Sequence, residues 1–417
     1  MRPPAPLPTH PPTEPPEPWE PFDPAFSRMM MDDVLGPMLD HYFRPAIFGL
    51  NNLPADGPVV LAANHSGNAF PYDAIIFDAA HWRGEGYRTD KKLRAVYEKE
   101  LSYTWWMRPF GLDDFWRRGG GVDMLFDNFD RLLARGDRIL YFPEGVPGIG
   151  KGFNRRYQLQ RFSTSFVLLA ARHRAPVIPL YMINAEWINP FGYVFPPLDR
   201  LMQRFFGVPF LPLPAGIVAI IFPWIWYLAF PARTIFVIGE PIDVTAYLAQ
   251  AGLTNLAEPD RPTLQRTAER VRQEMQVQLD ALVKIHGRRP FDAPHLWQAI
   301  KAGWGKLRWV LPTGWPISFV RRTRDQGRPP ARNALHRVLR DWDLIGFYLP
   351  FGWPLLTLAR MFRRPPCGYR GVARSKRAEL QGALRGGCRT ARYLRAPRVR
   401  PPDAGATGIS LVTATSN

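Results

Sequence analysis

The residues whose types and spacing suit chemistry fall in three clusters, each after an apolar run. His65 stands in Asn64-His65-Ser66-Gly67, directly after Val59–Ala63, and Asp73 follows eight residues later. An imidazole delivered to the C-terminal end of a strand, with a carboxylate nearby, is the arrangement of a general base and its orienting partner. Alone, the same stretch also reads as a turn histidine satisfied by backbone, with Asp73 capping a helix. Arg117 and Arg118 lie in Trp116-Arg117-Arg118-Gly119-Gly120-Gly121, a basic pair at a flexible turn. Glu144 lies in Phe142-Pro143-Glu144-Gly145 after another apolar run, followed by Lys151, Arg155 and Arg156. Where such strands are parallel neighbours, the loops at their C-terminal ends converge on one face. A base, two guanidinium groups and a carboxylate in one cleft suit transfer of an acyl group to a hydroxyl on a phosphate-bearing acceptor. His65 would take the hydroxyl proton, and Asp73 would hold its tautomer and stabilise the imidazolium. An arginine would grip the phosphate through two parallel hydrogen bonds.

The elements that must position these groups alternate between strand and helix. Strands are expected at 59–63, 93–97, 138–142, 177–183 and 234–238, with helices at 74–81, 122–135 and about 159–173. Gly136 would cap the helix over 122–135. Such alternation predicts an α/β fold: a mostly parallel sheet flanked by helices, with sites at the strand C-termini. Phe26, Met30, Val34, Met38 and Tyr42 recur every fourth residue, and Leu35 and Leu39 widen the stripe, so a helix is expected over 24–44. A long amphipathic helix is expected over 261–286, from Leu264, Ala268, Val271, Met275, Leu279 and Leu282. Residues 1–23 are Pro-rich with no apolar period and are expected to be disordered. The catalytic domain is expected over 24–289, a helical, aromatic and basic C-terminal extension over 290–372, and a disordered basic tail over 373–417.

The chain has 417 residues, 46% of them hydrophobic, enough for a sizeable core. Its net charge of +18 favours anionic partners such as lipid headgroups, phosphorylated substrates or nucleic acid. Both cysteines, Cys367 and Cys388, lie in the tail, which argues against a disulfide framework or a cysteine metal site. The N-terminus lacks a hydrophobic stretch and does not read as a secretory signal. Residues 205–232 carry no charge, a length that could span a bilayer. Five prolines interrupt them, and Trp224, Trp226 and Tyr227 are residues of the membrane interface. An interfacial or shallowly inserted segment is expected, with a kinked span and a buried core segment as the alternatives. A second uncharged run, Leu344 to Ala359, holds Phe347, Tyr348, Phe351 and Trp353 and is flanked by Arg340, Arg360, Arg363 and Arg364. Aromatics beside cations suit an anionic membrane surface. They also occur in RNA-binding proteins, but no RNA-binding motif is present, so no nucleic acid is expected.

Four ordered blocks resemble those of the glycerolipid acyltransferases, the glycerol-3-phosphate and 1-acylglycerol-3-phosphate O-acyltransferases and their relatives. They are Asn64-His65-Ser66-Gly67 with Asp73, Gly111 with Arg117 and Arg118, Phe142-Pro143-Glu144-Gly145, and Val177-Ile178-Pro179-Leu180. Their order and separations match across residues 45–245. The resemblance implies an acyl-CoA or acyl-carrier-protein donor, direct transfer without an acyl-enzyme, no metal or resident cofactor, and association with the cytoplasmic face of a membrane. It implies His65 and Asp73 as the catalytic pair, flanked by Asn64, Ser66 and Gly67. Arg117 or Arg118 would bind acceptor phosphate, with Glu144 and Gly145 shaping the acceptor site. Val177, Ile178 and Pro179 would line the acyl pocket. The implied function is acylation of a glycerolipid hydroxyl, first of all that of 1-acylglycerol-3-phosphate, in phospholipid biosynthesis.

Two positions depart from the family pattern. The usual spacing places the aspartate five residues after the histidine, where Phe70 stands, so Asp73 comes three residues late. Val146-Pro147-Gly148 replace the basic residue that often follows Glu-Gly, leaving Lys151 or Arg156 as substitutes. A neutral acceptor such as diacylglycerol would need less cationic clamping. Two further readings compete, the first built on the same residues. Gly145 to Lys151 matches the Gly-x4-Gly-Lys of a phosphate-binding loop but is followed by Gly152, which has no hydroxyl for Mg²⁺. A non-catalytic lipid-surface protein would use the basic aromatic C-terminal region and leave the late Asp73 idle.

Overall fold

Strands of β-branched and aliphatic residues with both faces covered can be apolar throughout, and Val59–Ala63 is buried at all five positions. The computed structural model describes residues 22–362 apart from 67–69, 98–106, 111, 113–114, 196, 198–212, 254, 257–259, 308–312 and 326–331. Seven strands form the main sheet: β1 (Ala46–Phe48), β2 (Val59–Ala63), β3 (Arg94–Tyr97), β4 (Val122–Asp123), β5 (Arg138–Tyr141), β6 (Val177–Ile183) and β9 (Ile235–Ile238), in the order β1-β9-β6-β2-β5-β3-β4. A separate hairpin pairs β7 (Gly192–Tyr193) with β8 (Leu213–Pro214). The five strands from β6 to β4 are parallel, while β9 joins β6 antiparallel and carries β1 parallel to itself. The expected α/β fold with a mostly parallel sheet flanked by helices is the fold observed.

The register of β2 sets the site. Val60 pairs with Ile139 on one side and Val177 on the other, and Ala63 faces Leu180. The C-terminal ends of β2 and β5 therefore emerge side by side, carrying His65 and Glu144. The core on one face gathers apolar side chains of α5 (Phe126–Ala134), α7 (Ser165–Arg172) and the Arg261–His286 helix. That long helix matches its expected span. The Asp260 side chain accepts the Thr263 N–H at 3.0 Å, Pro262 opens the first turn, and Gly287 follows the end. On the other face α3 (Tyr72–Gly84) packs through Phe77 on Phe236 of β9, with ring centroids 5.1 Å apart.

The N-terminal amphipathic stretch is helical, with a local departure from α geometry. Helix α1 (Pro24–Met30) passes into a π turn at Met31–Leu35, then α2 (Gly36–Met38), then a second π turn at Leu39–Phe43. A strict four-residue repeat drifts by about 40° per step around an ordinary α-helix. The wider π turns absorb that drift, so Phe26, Met30, Val34, Met38 and Tyr42 all stay buried. Two expected helices start later than their periodicity suggests. Val122–Asp123 is instead spent on an edge strand beside β3. Leu159 and Gln160 donate their N–H groups to Gln276 and Glu144, which holds that segment out of a helix until Ser165.

Among the described residues no helix is long and apolar enough to cross a membrane. Of the uncharged run at 205–232, residues 205–212 lie outside the described part. The remainder forms the Ala215–Ile221 helix and a 3-10 turn opened by Pro223. Trp226 and Tyr227 are buried in the core. The described C-terminal segment, up to Phe362, belongs to the same compact unit as the sheet. Its Ala293–Leu307 helix crosses the second π turn closely enough that a Cβ on Gly303 would lie 2.3 Å from the His41 ring. The tail at 373–417 lies outside the described residues.

Candidate active site

His65 and Asp73 meet. Asp73 sits in the first turn of α3, and its Oδ2 lies 3.1 Å from His65 Nδ1. The same oxygen accepts the Ser66 N–H and the Ser66 hydroxyl, both at 2.9 Å, while Oδ1 accepts the Ala74 N–H at 2.8 Å. The late aspartate thus reaches the histidine because helix α3 begins at Tyr72 and turns the chain back. Burial alone would raise the Asp73 carboxyl. The neighbouring imidazole, its hydrogen bond and the N–H groups of Ser66 and Ala74 outweigh that and hold it below its ordinary value. With Nδ1–H committed to the carboxylate, Nε2 carries the basic lone pair. Phe142 stacks flat on the imidazole, with centroids 3.9 Å apart and planes 13° from parallel.

Glu144 braces the opposite side of the histidine. Its Oε1 accepts the His65 backbone N–H at 2.9 Å and its Oε2 the Gln160 N–H at 2.7 Å. The carboxylate is therefore occupied in joining the loops after β2 and β5 to the segment before α7. Gly145 turns the chain at φ +57° with open space where a Cβ would stand. Helix α6 (Val146–Ile149) then brings Gly148 against the pair, where a Cβ would lie 2.5 Å from that of Glu144 and 3.1 Å from that of His65. Lys151 is fully buried behind Glu144, its Nζ 3.8 Å from Oε2, with no hydrogen-bond partner among the described residues. A lysine so enclosed does not present an open phosphate loop. Glu186, in a 3-10 turn after β6, is a third buried acid beside Asp73 and Glu144. Burial pushes its carboxyl up to about 8, against the pull of Lys151.

The remaining candidates are placed as follows. Asn64 clasps β2 to β6, its Oδ1 accepting the Met182 N–H at 2.7 Å and its Nδ2 donating to the Met182 carbonyl at 3.1 Å. Gly67 lies outside the described residues. Arg117 holds Asp123 through Nε at 3.2 Å and Nη2 at 2.5 Å. Arg118 holds Asp23 through Nε at 3.1 Å and Nη2 at 2.6 Å, with its guanidinium 4.0 Å above the Phe26 ring. Both arginines thus stitch α4 (Phe115–Arg118) to its neighbours. Arg156 is exposed, its guanidinium 4.9 Å from the Phe153 ring centre. Val177, Ile178 and Pro179 lie inside the sheet between β2 and β9.

His65 forms part of the wall of an apolar cavity of about 270 Å³ that none of those three β6 residues lines. Phe142, Gly145 and Ile149 line it together with the histidine, and the α3 residues Ile75, Ala79 and Trp82 form another part of its wall. Met30 of α1, Val96 of β3 and the glycines at 119–121 complete it. One ion pair, Lys92 with Asp78, lies in this wall, and burial draws both partners toward neutrality. The cavity lies just below the roughly 300–1,000 Å³ of small-ligand sites, and its apolar lining suits a hydrocarbon group.

Several contributors carried no sequence signal. Tyr72 precedes Asp73, donates its hydroxyl to the Tyr227 carbonyl at 2.7 Å and accepts from Trp315 Nε1 at 3.0 Å. Trp315 is 243 residues away along the chain, so no local pattern could reveal it. Phe142 stood inside a recognised block, yet its stacking role became visible only in three dimensions.

A family model described as Acyltransferase matches residues 44–183. Uncharacterized proteins of Mycobacterium tuberculosis (strain H37Rv) and Mycobacterium bovis are each 30% identical over 264 residues, spanning 60% of this chain and 67% of theirs. One from Mycobacterium leprae is 31% identical over 264 residues, spanning 60% and 66%. The family match opens just before β1 and closes at the end of β6, enclosing His65, Asp73 and Glu144, and the chain belongs to the glycerolipid acyltransferase family.

Proposed function

We propose that the protein transfers a fatty acyl group from acyl-CoA or acyl carrier protein to a hydroxyl of a glycerolipid acceptor in phospholipid biosynthesis. The observation that carries this is the His65–Asp73 pair at 3.1 Å in the wall of an apolar cavity. His65 Nε2 takes the proton of the acceptor hydroxyl as its oxygen attacks the thioester carbonyl. The tetrahedral intermediate expels the thiolate, and the imidazolium returns the proton to that sulfur. Asp73 holds the tautomer and stabilises the imidazolium throughout. The acyl chain lies in the cavity, and the lipid nature of both substrates makes a membrane the natural site of the reaction.

The first acceptor to test is 1-acylglycerol-3-phosphate, whose phosphate the Arg117-Arg118 block would meet. One observation favours a second reading, a neutral acceptor such as diacylglycerol. Arg117 and Arg118 each hold a carboxylate, and Lys151 is enclosed behind Glu144. Labelled acyl-CoA offered with a panel of phosphorylated and neutral acceptors, read by product lipid, separates the two. His65→Ala is expected to abolish turnover with every acceptor, and wild-type turnover in that variant overturns the assignment.

A further inference from the structure

Residues 334–358 carry an apolar stripe that the core does not use. Leu335, Val338, Leu339 and Trp342 recur at helical spacing through and just beyond the Ala334–Arg340 helix. The following 3-10 turn, Trp342–Phe347, has three residues per turn, so every third side chain shares a direction. Leu344 and Phe347 point into the core, while Trp342, Ile345 and Tyr348 extend the stripe outward. Leu335, Leu339, Trp342, Ile345 and Phe351 are each 52–68% exposed. A contiguous run of large exposed apolar side chains marks an interaction surface.

The charges around it select the partner. Between Arg332 and Leu358 the only acids are Asp341 and Asp343, and both are buried. Asp343 holds Arg324 at 2.6 Å, and Asp341 holds Arg324 at 3.0 Å and Arg340 at 3.3 Å. No carboxylate of this segment therefore reaches solvent, whereas Arg332 and Arg337 are exposed, on a chain of net charge +18. A second copy would bring cations against cations. An anionic bilayer takes the apolar stripe into its acyl boundary and the arginines among its headgroups. The stripe also adjoins the other uncharged run: Trp353 Nε1 donates to the Ala219 carbonyl at 3.2 Å, and the Phe351 N–H donates to that of Ile221.

We infer that the Ala334–Phe351 face docks the protein on an anionic lipid bilayer, through a surface outside the residues matched by the family model. The inference rests on the acyltransferase reading only in that lipid substrates come from such a surface. The experiment is co-sedimentation of the full chain with vesicles of phosphatidylcholine alone and of phosphatidylcholine with phosphatidylglycerol. Wild type and His65→Ala are expected to bind the anionic vesicles alike, more weakly as salt rises. Leu339→Glu/Ile345→Glu is expected to lose about tenfold or more of that binding while keeping turnover on detergent-dispersed substrates. Arg337→Glu, at an exposed helical position, is expected to weaken binding to anionic vesicles without lowering the melting temperature, and it carries the test if the double variant fails to fold. Unchanged vesicle binding in these variants overturns the inference. So does a wild-type dimer in vesicle-free solution that the double variant dissolves, since a second copy would then cover the stripe. Loss of turnover in His65→Ala with binding intact separates the fate of this inference from that of the catalytic reading.

Discussion

At the scale of single residues, the proposed chemistry turns on the late aspartate. Asp73 gathers the His65 imidazole, the Ser66 N–H and hydroxyl and the Ala74 N–H onto one buried carboxylate. Asp73→Asn keeps the shape but removes the charge that stabilises the imidazolium in the proposed mechanism, so kcat is expected to fall by about 10²–10⁴ with little change in KM. Steady-state kinetics of the folded variant check this, and a loss below threefold would contradict the pairing. Glu186 makes a prediction about stability. Its carboxyl is raised from 4.5 to about 8 in the fold, so the unfolded chain releases this proton first. Its contribution is fully present below the unfolded value and is lost as pH rises toward about 8. Melting temperatures between these limits are expected to fall less steeply for Glu186→Gln than for wild type, and parallel curves would show that Glu186 ionises normally.

At the scale of elements, the N-terminus of α3 is the part that must be held still. Asp73 is oriented by the helix, and the helix is pinned through Tyr72, whose hydroxyl links the Tyr227 carbonyl to Trp315. Tyr72→Phe leaves a buried carbonyl and a buried indole N–H without this partner, at a cost of about 1–3 kcal/mol each. The expected result is a lower melting temperature and a kcat reduced by less than in Asp73→Asn, because the acid–base groups remain. Calorimetry with kinetics on one preparation reads both, and an unchanged melting temperature would remove Tyr72 from this role. The π turns after α1 belong to the same scale. They keep Met30 and Met31 on the core face, where both line the cavity.

At the scale of the molecule, the cavity is a joint product of distant segments: α1, α3, β3, the end of α4 and the loop after β5. Its wall on α3 runs from Ala74 to Trp82, eight helical steps or about 12 Å. Ala79 lies within that length, so Ala79→Phe takes up cavity space and is expected to shift donor preference toward shorter acyl chains. A chain-length series of acyl-CoA donors checks this, and an unchanged profile would place the acyl chain elsewhere. The C-terminal helices are part of the same unit, with one side of the Trp342–Phe347 turn in the core and the other in solvent.

Much of the fold and the chemical blocks were legible in the sequence, because both rest on short-range patterns. Val59–Ala63 reads as a buried strand, Leu264 to Leu282 mark the apolar face of the long helix, and Asn64-His65-Ser66-Gly67 and Phe142-Pro143-Glu144-Gly145 sit at strand ends. The four-residue repeat at 26–42 announced an apolar helical face, which could also have met a membrane; only the structure buries it in the core and shows the π turns that keep it there. Only the tertiary structure decided what each charge meets and which side chains wall the cavity. Arg118 finds Asp23 across 95 residues of chain, and Trp315 finds Tyr72 across 243. Val177, Ile178 and Pro179 have the apolar character of a pocket, yet strand order places them within the sheet while α3 and α1 supply the cavity wall. Local periodicity records which face of an element is apolar. Ion-pair partners and cavity walls depend on which elements become neighbours, and no local repeat records that.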